Sequence, residues 1–132
     1  MSIAIIDYGV GNLASIQNML KKLGADSIVA SDISAIEGAS KLILPGVGSF
    51  DAGMSQLNVS GLRAALDAAV LERKLPVAGI CLGMQMMTER SEEGQLPGLG
   101  WVPARTTRFV PAAAETLKIP HMGWNVVIKV KS

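Results

Sequence analysis

The segment Leu75-Pro-Val-Ala-Gly-Ile-Cys-Leu-Gly-Met-Gln-Met-Met-Thr-Glu-Arg90 decides how the rest of the chain is interpreted. It begins with a short apolar run typical of a buried strand and continues into a Met-rich run typical of a helix. Cys81, the only cysteine of the chain, stands between the two runs with Gly79 and Gly83 on either side. This G-x-C-x-G pattern predicts a nucleophile elbow, a strained strand-to-helix turn that lifts the reactive side chain out of the sheet.

Two backbone features of such a turn would make the Cys81 thiol reactive. Glycine at positions 79 and 83 allows a tight turn and close packing of the following helix. The N–H groups that open the helix favour negative charge, so they would stabilise a thiolate and an oxyanion. The alternative is a small buried cysteine that only fills space, as lone cysteines often do. The flanking glycines argue against that alternative.

Length and composition restrict the class of protein. A chain of 132 residues that is 49% hydrophobic and has a formal net charge of +1 is expected to form one globular domain over residues 1–132. This charge does not suggest a nucleic-acid-binding protein. The sequence offers no internal disulfide, no signal peptide and no stretch near the roughly 18 apolar residues of a membrane span. We therefore expect a cytoplasmic protein without membrane association.

Short apolar runs alternate with helical patterns before the Cys81 elbow. Strands are predicted at 3–6, 27–30, 41–44 and 77–80, and a strong amphipathic helix is predicted at 62–71. A further helix begins at Leu13 and ends near Gly24, with Leu13, Ile16, Leu20 and Leu23 on one face. This order indicates a doubly wound, mostly parallel α/β sheet of the flavodoxin-like class. Short β segments are predicted later, at 101–105, 107–109 and 126–130, with a turn over 120–125.

A second glycine motif suggests an alternative function. Gly9-Val-Gly-Asn-Leu-Ala14 follows a strand and opens a helix, and Asp32 follows the second strand, as in a dinucleotide-binding half-domain. Asp7, however, stands two residues before Gly9, where its carboxylate would repel a pyrophosphate. We therefore interpret these glycines as a tight βα turn.

The loop after the third strand, Pro45-Gly-Val-Gly48, is the candidate for a second oxyanion donor. An elbow nucleophile takes one donor from the next residue, here Leu82, and another from the loop of a different strand. The loop could equally do no more than turn the chain. Gln85 lies four residues after Cys81, so on a helix it shares the same face and could hold a polar substrate. Together these residues predict acyl transfer through a thioester.

A general base for Cys81 is harder to assign. A cysteine nucleophile usually has a histidine partner oriented by a third group. His121 is the only histidine, and it lies in a Pro-His-Met-Gly turn that no Asp or Glu follows. Glu92 and Glu115 precede it, so sequence order leaves open a carboxylate that orients the imidazole. A lone loop histidine is more often structural or substrate-facing. We do not expect His121 to be the base.

Five segments carry a resemblance to a known family: 7–12 (DYGVGN), 45–48 (PGVG), 79–85 (GICLGMQ), 91–94 (SEEG) and 120–125 (PHMGWN). In order and spacing they resemble the glutaminase subunits of imidazole glycerol phosphate synthases, which are class I glutamine amidotransferases of the triad type. The resemblance implies Cys81 as the nucleophile and the backbone N–H groups of Leu82 and Val47 as oxyanion donors. It places Gly46, Gly48 and Gln85 in the glutamine pocket, and it implies a partner surface with Asn12, His121, Trp124 and Asn125.

The resemblance also implies a reaction and a partner. The substrate is L-glutamine, and no cofactor or metal is expected. The partner is a cyclase subunit with a (β/α)₈ barrel, which forms a heterodimer with the glutaminase and uses its ammonia to make imidazole glycerol phosphate for histidine biosynthesis. Family members complete the triad with a downstream His-x-Glu pair, which residues 1–132 do not contain. We therefore expect this chain to lack the C-terminal third of such a subunit and to be inactive alone.

Two other functions fit the same residues. A non-catalytic module could keep the fold and bind a barrel partner without turnover. A sister amidotransferase could deliver its ammonia to a sugar-modification pathway, because the glutamine half would look the same. An in-frame His-x-Glu pair beyond residue 132 would favour the enzyme over the non-catalytic module.

Overall fold

The computed structural model of the protein describes residues 2–112, 116 and 118–131. Its main sheet contains β1 (Ile3–Ile6), β2 (Ser27–Ala30), β3 (Lys41–Leu44) and β4 (Val77–Gly79), all parallel and in the order β2-β1-β3-β4. The runs of β1 and β3 are apolar because helices pack on both faces of the sheet, whereas Ile28 and Val29 of the edge strand β2 are each 38% exposed. The doubly wound α/β class predicted from the sequence is thus confirmed.

The helices are α1 (Leu13–Lys22), α2 (Ile33–Glu37), α3 (Phe50–Val59), α4 (Arg63–Asp67) and α5 (Leu82–Met86). Asn12 begins α1 by accepting a hydrogen bond from the Ser15 N–H at 3.2 Å, which satisfies a free donor of the first turn. The predicted apolar face of α1 is one turn too long, because Leu23 is 74% exposed. Leu23 caps the helix where the chain already turns toward Gly24, which has a φ of +72°.

Two predicted boundaries need correction. The helix expected at 62–71 is α-helical only from Arg63 to Asp67 and continues as a π-helical turn over Ala68–Glu72. The fourth strand ends at Gly79 and not at residue 80. The Ile80 N–H still donates to the Leu44 carbonyl at 3.0 Å, but the chain leaves the sheet at the next residue.

Side chains of the sheet alternate between two apolar layers, as strand geometry requires. On one face, Ile5 and Ile43 pack with Ile16 and Leu20 of α1. On the other face, Ile6 and Leu44 belong to the larger cluster of buried residues, which includes Phe50, Met54, Leu57, Leu66, Leu82 and Met86. Helices α3 and α5 therefore share one layer, and this layer positions the Cys81 turn.

The β segments predicted after residue 100 are mostly wrong. Arg105–Thr106 (β6) pairs in parallel with Arg90–Ser91 (β5), but the described residues form no strand at 101–104, 107–109 or 126–130. The apolar side chains at 126–130 are between 78% and 90% exposed. Their β-branched residues favour a strand, yet a strand also needs a neighbour for its ladder, and no described residue pairs with 126–130. Within the described residues, no helix is long and apolar enough to cross a membrane.

Candidate active site

Cys81 occupies a strained turn between β4 and α5. Its backbone angles are φ +53° and ψ −118°, in the positive-φ region that non-glycine residues rarely adopt. The cysteine is exposed, so it does not fill the core as a small apolar residue. The strand, strained turn and helix expected of a nucleophile elbow are therefore all present.

The two flanking glycines are required by close packing. A Cβ atom at Gly83 would overlap the Leu44 carbonyl oxygen and would lie 3.0 Å from the Pro45 carbonyl carbon. A Cβ atom at Gly79 would lie 2.5 Å from the Met84 Cα. Gly83 thus lets α5 approach the end of β3, and Gly79 lets it approach β4, more closely than any other residue would allow.

The loop 45–48 lies directly against the elbow. A Cβ atom at Gly46 would be 2.8 Å from the Gly83 nitrogen and 2.9 Å from the Leu82 Cβ. Gly46 is buried, Val47 is 57% exposed, and Gly48 has a φ of +96°. The first residues of α5 and the loop after β3 therefore meet at the carboxyl edge of the sheet, as the doubly wound topology predicts.

Hydrogen bonding leaves the Leu82 N–H available. The N–H groups of Gly83 and Met84 donate to the carbonyls of Ile80 and Cys81, at 3.0 and 3.1 Å. The first N–H of a helix has no acceptor within the helix. Among the described residues, no hydrogen bond involves the Leu82 N–H, so this donor can serve a ligand next to the Cys81 sulfur.

The buried side chain of Tyr8 contacts the loop 45–48. Its side chain is 4% exposed, and its hydroxyl donates to the Pro45 carbonyl at 2.6 Å and lies 3.5 Å from the Met86 sulfur on α5. Burial raises the pKa of Tyr8 to about 12, so the hydroxyl keeps its proton at neutral pH. No local sequence pattern distinguishes Tyr8, although its position two residues after β1 places it at the carboxyl edge of the sheet.

Asp51 joins the segment after α5 to the first turn of α3. Its carboxylate accepts the Gln95 N–H at 3.0 Å and the Leu96 N–H at 3.0 Å. These hydrogen bonds, that from Gln95 first and that from Leu96 second, lower the pKa of Asp51 because they stabilise the charged form. The carboxylate therefore fixes the chain just beyond 91–94, and sequence patterns did not reveal this contact.

Replacing Asp51 with asparagine is expected to lower the melting temperature at pH 7, because the amide loses the charge and one of two acceptor oxygens. A depressed folded-state pKa adds stability that is present above the unfolded pKa of about 3.9 and is lost as pH falls through the folded value. The difference from the wild type should therefore shrink as the pH falls below about 4. Asp26→Asn makes the same charge change at an exposed position and should leave the melting temperature unchanged. Equal melting temperatures of the two variants at pH 7 would show that the Asp51 carboxylate does not stabilise the fold through these hydrogen bonds.

Among the described residues, none of the remaining candidate side chains is hydrogen-bonded to the Cys81 sulfur. Gln85 is half-buried on α5, and Asn12 is exposed at the start of α1. His121 contacts Asn125, whose side-chain nitrogen lies 3.2 Å from Nε2, and Trp124 is fully exposed. In the described part of the chain, no imidazole or carboxylate is hydrogen-bonded to Cys81, and no group of three His, Cys, Asp or Glu side chains could hold a metal ion.

Comparison with known proteins identifies a family. Residues 4–132 match the family model described as glutamine amidotransferase class-I. The chain is 54% identical over 125 residues to imidazole glycerol phosphate synthase subunit HisH 2 of Methanococcus maripaludis and 53% identical over 125 residues to subunit HisH 2 of Pseudomonas aeruginosa. It is 49% identical over 132 residues to subunit HisH of Bdellovibrio bacteriovorus.

These alignments cover 95% to 98% of this chain but 61% to 64% of the relatives, so the chain spans about three fifths of the length of the curated relatives it matches. A solved structure described as a crystal structure of glutamine amidotransferase is similar with a TM-score of 0.67. That likeness covers 80% of this chain and 56% of the other at 23% sequence identity, so it supports the fold alone.

Proposed function

The chain belongs to the class I glutamine amidotransferases, and from that membership we propose that it is the glutaminase part of an imidazole glycerol phosphate synthase. The protein hydrolyses L-glutamine to glutamate and ammonia, and a cyclase subunit uses the ammonia to make imidazole glycerol phosphate. The observation that carries the proposal is the exposed Cys81 on its strained turn, followed directly by Leu82 and Gly83, which lie against Gly46 of the glycine loop 45–48. The relatives named above, all HisH subunits, favour the histidine pathway over a sugar-modification pathway.

Cys81 is the nucleophile in this proposal. Its thiolate attacks the carboxamide carbon of glutamine, and the carbonyl oxygen becomes an oxyanion in the tetrahedral intermediate. The C–N bond then breaks, ammonia leaves with an added proton, and a thioester remains on the sulfur. Water hydrolyses the thioester, which releases glutamate and restores the thiol. Each half of the reaction passes through one oxyanion.

The oxyanion donors are the backbone N–H groups of Leu82 and Val47. The Leu82 N–H is free of intramolecular hydrogen bonds among the described residues, and the loop that carries Val47 touches the first turn of α5. Losing one such donor typically costs about 10² to 10³ in kcat. Gly46, Gly48 and Gln85 form part of the glutamine pocket, since two of them border Val47 and the third lies one helical turn from Cys81.

Proton transfer requires a further group. Both the departure of ammonia and the attack of water need a positioned acid or base. His121 has its hydrogen-bonding contact with Asn125 on an exposed segment. We propose that His121 serves the partner side and does not act on the Cys81 sulfur.

The partner surface comprises Asn12, His121, Trp124 and Asn125. Trp124 is fully exposed, and its neighbours Met122 and Val126 are 84% and 90% exposed. Contiguous exposed apolar side chains mark interaction sites, and tryptophan is enriched among the residues that dominate binding. We propose that a (β/α)₈-barrel cyclase covers this surface in a cytoplasmic heterodimer.

The test combines turnover with covalent labelling in the intact protein. We expect glutamate release from L-glutamine when residues 1–132 are followed by a His-x-Glu pair and the barrel cyclase is present. Residues 1–132 alone, which contain no such pair, should release none. A chloroketone analogue of glutamine should stop this release and modify Cys81, as peptide mass mapping would show. Excess L-glutamine should protect Cys81 and D-glutamine should not. Modification of another residue, or labelling that L-glutamine does not slow, would overturn the proposal.

A further inference from the structure

We infer that Tyr8 is a positioning residue for the oxyanion loop, defined as residues 45–48. Its hydroxyl group holds Pro45 and Gly46 against α5 and so restricts where the next peptide group, which carries the Val47 N–H, can lie beside Cys81. The catalytic consequence rests on the glutaminase function proposed above. The positioning itself rests only on the contacts of Tyr8.

The Tyr8 hydroxyl contacts both the oxyanion loop and helix α5. It donates to the Pro45 carbonyl at 2.6 Å, and it lies 3.5 Å from the Met86 sulfur of α5. The same oxygen would be 2.8 Å from a Cβ atom at Gly46. One buried hydroxyl therefore lies where β1, the oxyanion loop and the nucleophile helix meet.

The oxyanion loop needs an external restraint. The Pro45 carbonyl and the Gly46 N–H belong to one planar peptide group, so a hydrogen bond to the carbonyl sets the orientation of the whole plane. Glycine at 46 and 48 gives the loop wide conformational freedom, and the Val47 side chain is 57% exposed and adds little packing. The hydrogen bond from Tyr8 therefore restricts backbone torsion angles that the residues of the loop do not restrict by themselves.

Burial makes the hydrogen bond between Tyr8 and Pro45 persistent. Tyr8 and Pro45 are both buried, so water does not compete for the carbonyl. Without the hydroxyl, the Pro45 carbonyl would be a buried acceptor without a partner, and the peptide plane would turn to find one. A displacement of about 1 Å in a positioning element can cost about 10²-fold in rate.

The test replaces Tyr8 with phenylalanine, which keeps the ring and removes the hydroxyl group. In the intact protein with the cyclase, kcat for glutamine hydrolysis should fall about 10- to 100-fold while KM changes little, because the loss affects the transition state. The rate of Cys81 alkylation by iodoacetamide should not change, because displacement at a CH₂ group forms no oxyanion. Equal losses in both rates would show that the variant acts on the thiol, and this result would overturn the inference.

Ser60→Ala is the matched control. The Ser60 hydroxyl also donates to a backbone carbonyl at 2.6 Å, that of Leu57, but at the opposite end of α3 from the site. Its loss should lower stability without lowering kcat. A similar fall in kcat for Ser60→Ala would show that Tyr8 has only a general structural role.

Nuclear magnetic resonance relaxation tests the positioning without any assay of glutamine. The backbone order parameters of 46–48 should fall in Tyr8→Phe and stay unchanged in Ser60→Ala. If the wild type released no glutamate but the loop still responded in this way, the proposed function would fail and the positioning by Tyr8 would stand. Unchanged order parameters in Tyr8→Phe would overturn the positioning itself.

Discussion

Replacing Cys81 with alanine is expected to lower glutamate release by the intact protein by at least about 10⁴-fold, because removal of a nucleophile that acts as a unit with its acid–base partners abolishes the covalent route. Backbone donors at Leu82 and Val47 would remain, yet they stabilise an oxyanion only once a nucleophile has attacked. Alanine keeps the Cβ atom, so the backbone strain at this position is unchanged and the fold should be preserved. Glutamate measured over time, with the cyclase present, gives the rate.

Cys81→Gly separates chemistry from strain. Glycine adopts a φ of +53° without steric cost, whereas a residue with a Cβ atom loses about 1 to 3 kcal/mol in such a region. Part of this gain is offset by the greater freedom of glycine in the unfolded chain. We expect the glycine variant to be inactive but roughly 1 kcal/mol more stable than the alanine variant. Equal rates of glutamate release by wild type and Cys81→Ala would rule out Cys81 as the nucleophile.

Replacing Gly83 with alanine is expected to lower the free energy of unfolding by about 3 kcal/mol or more, because the new methyl group would overlap the Leu44 carbonyl oxygen. The overlapped atom belongs to backbone at the end of β3, so no side-chain rotation can relieve the clash. Moving Leu44 would also disturb its hydrogen bond from the Ile80 N–H and the pairing of β3 with β4. Urea unfolding at 25 °C, monitored by circular dichroism, gives the stability.

Gly38→Ala is the matched control for this prediction. Gly38 follows α2 with a φ of −77°, and a Cβ atom there would meet the Ser34 carbonyl oxygen at an ordinary 3.5 Å. Alanine should therefore change stability by no more than about 1 kcal/mol, with a small gain from the stiffer unfolded chain. If Gly83→Ala were as stable as Gly38→Ala, α5 would not approach β3 as closely as the structure shows.

Local patterns in the sequence determined the strands and the elbow. Continuous apolar runs predicted β1, β2 and β3 with the bounds that the structure shows. The glycines around Cys81 predicted a tight strand-to-helix turn, which the structure contains. These features depend on burial of a few adjacent side chains and on the steric freedom of glycine. Both act over a few residues, so the sequence alone is sufficient to recognise them.

The tertiary structure decided which distant groups support the site. Tyr8 reaches Pro45 across 37 residues, and Asp51 reaches Gln95 across 44 residues. Whether these pairs meet depends on β3 lying between β1 and β4, and no local pattern specifies that order. Residues 126–130 show the converse case: their β-branched side chains predict a strand, but they pair with no described residue. A β preference is only a local bias, whereas a strand forms when the N–H and C=O groups of a second segment complete its hydrogen bonds, and that depends on where the rest of the chain lies.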